Sequence, residues 1–214
     1  MRILSNSATS GRAIATGLVV AALVATLAAL LLPVQLFGET AAAATTTLTY
    51  DDDGGGTVTT RYGPLTAMDR DFVRKVKLAG LWELPSGRMA QQRGTTAAVR
   101  TAGNHLVAGH TELDQRSNEA GRALGIDLPT EPNVAQQGWL GQLKAAQGKE
   151  FDATLAELLR RAHGKVFGLV ALVRDQTKNT MVRALADRAN DVVLDHITVL
   201  EKTGRVDFNT LHHS

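Results

Sequence analysis

TMVRALADRANDVVLDHITVLEK, residues 180–202, decides the fold. Val182, Leu185, Ala189, Val192, His196 and Val199 recur at alternating steps of three and four, which places them on one stripe of an amphipathic helix. Gly204 ends the pattern. One member of the stripe, His196, is polar.

Three further segments repeat this arrangement. From about Phe151 to Gln176, Leu155, Leu159, His163, Val166 and Val170 share a face that Leu158, Ala162, Leu169 and Val173 widen. From about Thr96 to Leu124, with Thr95 as the expected N-cap, the seam is Val99, Gly103, Leu106, His110, Leu113, Ser117, Ala120 and Leu124, and Gly125 is the stop. From about Ala67 to Gln92 it is Phe72, Val76, Ala79, Glu83 and Ala90, with Ser86 in phase. Pro85 falls inside this last pattern, where a missing N–H and a crowded preceding turn predict a kink just after Glu83.

Between the second and third long helices lie Pro129, Pro132 and a short helix over Val134–Ala146 that carries Trp139, Leu140 and Leu143. This connection is long for a helical hairpin. It either covers one end of the assembly or runs its full length. Strand-like patterning is confined to a short Thr-rich stretch near Val58. Four amphipathic helices with these seams predict an all-α chain built as a four-helix bundle.

Each long helix therefore carries one titratable residue where its apolar stripe calls for a hydrophobic one: Glu83, His110, His163 and His196. Each lies about 20–27 Å from the start of its helix at 1.5 Å per residue, so a bundle brings all four to one level. Three imidazoles and one carboxylate are a competent ligand set for a single transition-metal ion (Zn, Mn, Fe or Cu). Asp114, one turn after His110, is placed to orient that imidazole. The same residues also suit a metal-free, hydrogen-bonded polar layer, since a buried Glu needs a partner. A carboxylate-rich di-iron centre is not expected, because position 86 is Ser and no seam His has Glu three residues before it. His105 lies about 140° round the helix from His110 and cannot share its seam.

Other chemistry is disfavoured. The chain has no Cys, which excludes zinc–thiolate sites, Fe–S clusters and thiol nucleophiles. With 23 basic and 21 acidic residues and no basic stripe interleaved with aromatics, nucleic acid is not an expected partner. Ser86 and Ser117 lack a nucleophile elbow, and Gly54–Gly56 lacks the Lys-Ser/Thr of a phosphate loop. Trp82 and Trp139 read as packing residues, and His212 and His213 as tail.

The N-terminal region is of another kind. Arg2 and Arg12 precede an uncharged run from Ala13 to Leu32, and Ala41–Ala44 follows. Basic, apolar and small-residue regions in this order predict an export signal over residues 1–44. The run is also about 20 residues long, enough for an uncleaved membrane anchor. Either way the domain is expected outside the cytoplasm, secreted or held at the cell membrane. Residues 45–64, with Asp51-Asp52-Asp53-Gly54-Gly55-Gly56, read as a flexible linker and not as a calcium loop. The bundle domain spans 65–208, and 209–214 form a tail.

Several stretches resemble one family. Ala79-Gly80-Leu81-Trp82-Glu83-Leu84-Pro85-Ser86-Gly87, Gly109-His110-Thr111-Glu112-Leu113, Arg161-Ala162-His163-Gly164-Lys165-Val166, and Asp195-His196 with Leu200-Glu201 are similar, in order and spacing, to the exported bacterial "domain of unknown function 4142" family. The similarity covers about Asp69 to Phe208, and the Ala- and Arg-rich character looks like that of actinomycete members. The resemblance implies a ferritin-like four-helix bundle behind a signal or anchor, with the long connection as its crossover. It maps the family's recurring Glu and His onto Glu83, His110, His163 and His196. Many members carry Asp before the second-helix His, where this chain has Gly109. The family supplies a fold and no reaction. Three functions stay open: an envelope module holding one transition metal, with an envelope protein as partner; a metal-dependent oxidoreductase; and a structural interaction module with a buried polar layer.

Overall fold

The computed structural model describes residues 50–211. The signal or anchor segment, the first residues of the linker and the last three of the tail lie outside the described residues. Among the described residues there are a two-stranded antiparallel hairpin, β1 (Val58–Thr60) and β2 (Gly63–Leu65), and five helices. These are α1 (Ala67–Arg93), α2 (Ala97–Leu124), α3 (Val134–Ala145), α4 (Gly148–Gln176) and α5 (Thr180–Glu201). None of these helices is long and apolar enough to cross a membrane.

The four long helices bury the predicted stripes as a helical bundle. α1 packs against α2 and α4, and α5 packs against α2 and α4, so the four close into a ring. The apolar core has two parts. One holds Phe72 and Val76 of α1, Leu113 and Leu124 of α2, Val170 and Val173 of α4, and Val182 and Leu185 of α5. The other holds Ala90, Leu106, Leu155, Leu159, Val199 and Leu200, with Trp82 and, from α3, Leu143. Burying each large apolar side chain contributes roughly 1.5–3 kcal/mol.

These memberships give the helix directions. The first core takes the N-terminal halves of α1 and α5 with the C-terminal halves of α2 and α4. The second takes the opposite halves. α1 and α2 are therefore an antiparallel pair, as are α4 and α5, and α2 runs parallel to α4. The connection leaves Leu124 in the first core and returns at Phe151 in the second. It runs the full length of the bundle, which resolves the alternative left open above. Ile126 packs into the first core, and Leu143 and Ala146 into the second.

The helix ends are fixed by side chains. Thr66 and Asp69 form a reciprocal capping box on α1, and Asn133 with Gln136 does the same on α3. Thr96, not the expected Thr95, caps α2 by accepting from the Val99 N–H. Thr95 is engaged elsewhere. Its N–H and hydroxyl both donate to the fully buried Asp152 of α4, which ties the α1–α2 turn to the other helix pair. α1 stays helical through Pro85, and Glu83 keeps its inward place.

The later part of the stretch read as a flexible linker departs from that reading. The Asp53 carboxylate accepts from Arg70 Nε at 2.7 Å and Arg74 Nη1 at 2.8 Å, and Arg70 also donates to the Gly56 carbonyl. The guanidiniums of the first turns of α1 meet the acidic triplet and dock it. The hairpin then reaches the start of α5, where Thr180 N–H donates to the Tyr62 carbonyl at 2.8 Å. Gly63 is required there: its φ is +102°, and a Cβ would lie 2.6 Å from the Lys178 carbonyl oxygen.

Candidate metal centre

Between the two apolar cores lies one polar layer. α1 supplies Glu83, α2 His110, α4 His163 and α5 His196, each no more than 4 % exposed. The packing brings together all four residues singled out from the sequence. One ligand atom from each lies within 4.8 Å of every other. Glu83 Oε2 is 2.8 Å from His110 Nε2 and 3.2 Å from His163 Nε2. His163 Nε2 is 2.9 Å from His196 Nδ1. The three imidazole centroids are 5.0–5.9 Å apart.

The outer ring nitrogens determine the inner ones. His163 Nδ1 lies 2.8 Å from the Leu159 carbonyl, and His196 Nε2 lies 3.0 Å from the His105 carbonyl. A carbonyl oxygen only accepts, so both of these nitrogens carry hydrogen and donate. In neutral imidazoles the opposite nitrogens, His163 Nε2 and His196 Nδ1, are then bare lone pairs. They face each other at 2.9 Å, next to a carboxylate oxygen. Such a contact is repulsive unless a cation joins it.

Protonation is a poor source of that cation. Burial lowers the His163 pKa to about 4, with Glu83 opposing the shift. Burial lowers His196 to about 3, helped by His110, and His110 to about 4, against the pull of Asp114. Burial raises Glu83 to about 7, with His163 pulling the other way. Low dielectric thus drives each group toward its neutral form. A metal ion reverses this for the carboxylate and uses the imidazole lone pairs directly. Bonds of about 2.0–2.2 Å to one ion hold ligand atoms roughly 3–3.5 Å apart, which the Glu83–His110, Glu83–His163 and His163–His196 separations approach, while the set as a whole extends to 4.8 Å.

Support for the ligands is uneven. The carbonyls of Leu159 and His105 fix the rings of His163 and His196, as second partners of metal-bound imidazoles do. His110 Nδ1 is buried and has no hydrogen-bond partner among the described residues. The expectation that Asp114 orients His110 is not met. Its carboxylate accepts from Lys77 Nζ at 2.6 Å and from Asn118 Nδ2 at 2.9 Å, because Lys77 of α1 faces it across the α1–α2 contact.

Sequence reasoning missed the two carbonyls. The Leu159 contact was available in principle, since a helical side chain reaches the carbonyl four residues back. The His105 contact joins α2 to α5 and leaves no trace in side-chain spacing. His105 itself lies off the seam, as expected, with its Nδ1 2.7 Å from Asp195 Oδ2.

The family model described as "Domain of unknown function (DUF4142)" matches residues 57–202. The matched stretch begins beside the hairpin and takes in all four residues of the polar layer. No curated protein and no solved structure matches the chain significantly. The chain belongs to the DUF4142 family.

Proposed function

We propose that this DUF4142 chain is a cell-envelope helical bundle that holds one transition-metal ion between Glu83, His110, His163 and His196. One observation carries the reading: His163 Nε2 and His196 Nδ1 lie 2.9 Å apart while the other nitrogen of each ring is committed as a donor to a carbonyl. Three imidazoles and one carboxylate favour Zn, Fe or Cu over Mg or Ca. The ferritin-like assignment belongs to the same proposal, supported by two antiparallel helix pairs joined by a full-length crossover. The envelope location rests on Arg2, Arg12 and the apolar run from Ala13 to Leu32.

The test is the metal content of the domain from Thr45 onward, purified without an affinity tag, beside a His110→Ala/His163→Ala variant. Stoichiometric metal in the parent, absent from a variant that keeps its helical circular dichroism, is the expected result. A parent that carries no metal and gains no thermal stability from Zn, Mn, Fe or Cu would sink the reading. Recovering the full chain from cytosol alone would sink the envelope location.

A second reading has its own support in the raised pKa of Glu83. A protonated Glu83 could donate to His163 Nε2, 3.2 Å away, and form a metal-free polar layer. That arrangement still leaves the His163–His196 lone pairs opposed, so it ranks second.

A further inference from the structure

The polar layer is closed off by apolar core above and below, but not equally on all sides. Between α2 and α5 runs a groove of about 430 Å³. Its floor includes Gly109, Val192 and His196. Two side-chain braces cross it. At one end Arg188 of α5 holds Glu112 of α2 through three contacts of 2.7–3.0 Å. At the other, His105 of α2 meets Asp195 of α5. The braces frame a window about two helical turns long, with Gly109 at its middle.

Behind the window stands the ring of His196. A Cβ at Gly109 would come within 2.6 Å of His196 Nε2 and 2.8 Å of its Cε1. The edge of the imidazole therefore abuts the backbone that lines the groove, while Nδ1 on its far side faces His163. One imidazole ring is the whole thickness of the partition between groove and polar layer. Gly109 gives the ring its room, because any larger residue there would press on it. The rim bears Glu112, Asp191 and Asp195 against one guanidinium, that of Arg188, so the groove is acidic and draws cations.

Resting on the metal reading above, we infer that the α2–α5 groove is the port through which a divalent metal ion reaches and leaves the buried ligands, with His196 as its swinging gate. Asp191 and Asp195 concentrate the ion at the window. His196 turns about its side-chain bonds, exchanges its contact with the His105 carbonyl for solvent in the groove, and closes behind the ion with Nδ1 as ligand. The other three ligands stay fixed throughout.

The test uses the purified full chain in detergent solution, with Co(II) alone as probe and its ligand-field absorbance followed at equilibrium and by stopped flow. Ala108 is exposed on the groove wall, so Ala108→Phe fills the port without entering the core. The expected result is a several-fold slowing of loading and of release by the same factor, with affinity and spectrum unchanged. Asp191→Asn/Asp195→Asn should slow loading by about tenfold at low ionic strength and much less at high. Gln115→Phe, exposed on α2 outside the groove, should leave both rates alone. Unaltered rates in Ala108→Phe, in a protein that binds Co(II) as the parent does, would overturn the port and leave the metal site standing. A parent that binds no Co(II) at equilibrium would overturn both.

Discussion

Asp53 and Glu83 are both carboxylates held against α1, and their surroundings answer their charge in opposite ways. Asp53 lies at the surface, where Arg70 and Arg74 hold its carboxyl well below the usual carboxylate range. Glu83 lies in the core, where burial pushes it up to about 7 and the imidazoles of His110 and His163 stand beside it. Among the described residues, arginines sit within reach of one and none approaches the other. The chain supplies permanent cations where water already screens the charge, and withholds them where the charge is most costly. That contrast is the one the proposed metal ion would resolve.

The largest effect should come from supplying that cation. Saturating the parent with its metal should raise the melting temperature by about 10 °C, and chelation should reverse this. A His163→Ala/His196→Ala variant should show no shift. Differential scanning calorimetry with and without chelator reads both.

Next in size is the cost of leaving Glu83 uncompensated. Its folded pKa lies above its unfolded one, so its contribution to stability is fully present below about 4.5 and is lost as pH rises through about 7. In metal-free protein at pH 8, Glu83→Gln should be more stable than the parent by on the order of 3 kcal/mol, measured by urea unfolding. The histidines act in the opposite sense. Their folded pKa values lie below the unfolded one, so stability is lost as pH falls from about 6.5 toward about 4. Three histidines outweigh one carboxylate across this window, so metal-free protein should gain stability from about pH 4 to about pH 7 and then level off. Loaded protein should rise more steeply over the same range, because a bound ion removes the opposing contribution of Glu83. Equal profiles for both forms would remove the contrast between the two carboxylates.

A smaller effect should follow from loosening the packing that keeps Glu83 dry. A Cβ at Gly103 would lie 2.8 Å from the Gly87 carbonyl oxygen and 2.9 Å from Gln91 N, and backbone cannot yield as a side chain can. Gly103→Ala should cost about 1–3 kcal/mol by forcing α1 from α2. It should also narrow the pH 8 advantage of Glu83→Gln, because a wetter carboxylate is less perturbed. Asp53→Asn should have the smallest effect, a minor drop in melting temperature that vanishes at high salt. Its stabilisation is present above the unfolded carboxylate pKa and is lost as pH falls. A drop that persists at high salt would show the clamp to be more than a surface ion pair.

What could be read from the sequence follows from which quantities a period of three and four encodes. Spacing alone put Glu83, His110, His163 and His196 on inward stripes at similar depth, and packing then joined them. Helix extents were legible for the same reason, to within a few residues. Helix direction was not, since a stripe reads alike in either sense, and only core membership showed the connection running full length. Thr95 and Thr96 are equivalent as caps on paper; Asp152, far away in sequence, takes one of them. Asp114 had the right offset from His110 but a lysine on the neighbouring helix competed for it. The docked acidic triplet was missed because a run of Asp and Gly looks the same whether or not arginines await it. A backbone contact between distant helices, such as the His105 carbonyl on His196, carries no residue signature at all.

The full-length crossover has a consequence for how the molecule assembles. α1 and α2 form one local hairpin, which owns Glu83 and His110; α4 and α5 form a second, which owns His163 and His196. Each hairpin folds on contacts close in sequence, whereas joining them must close the long loop between. The polar layer thus exists only once the two halves have met, and its desolvation accompanies their docking. An ion bound there acts as a latch on the finished structure: it should slow unfolding in proportion to its affinity and leave the folding rate unchanged. A chevron measured with and without metal would show this as a shift confined to the unfolding arm.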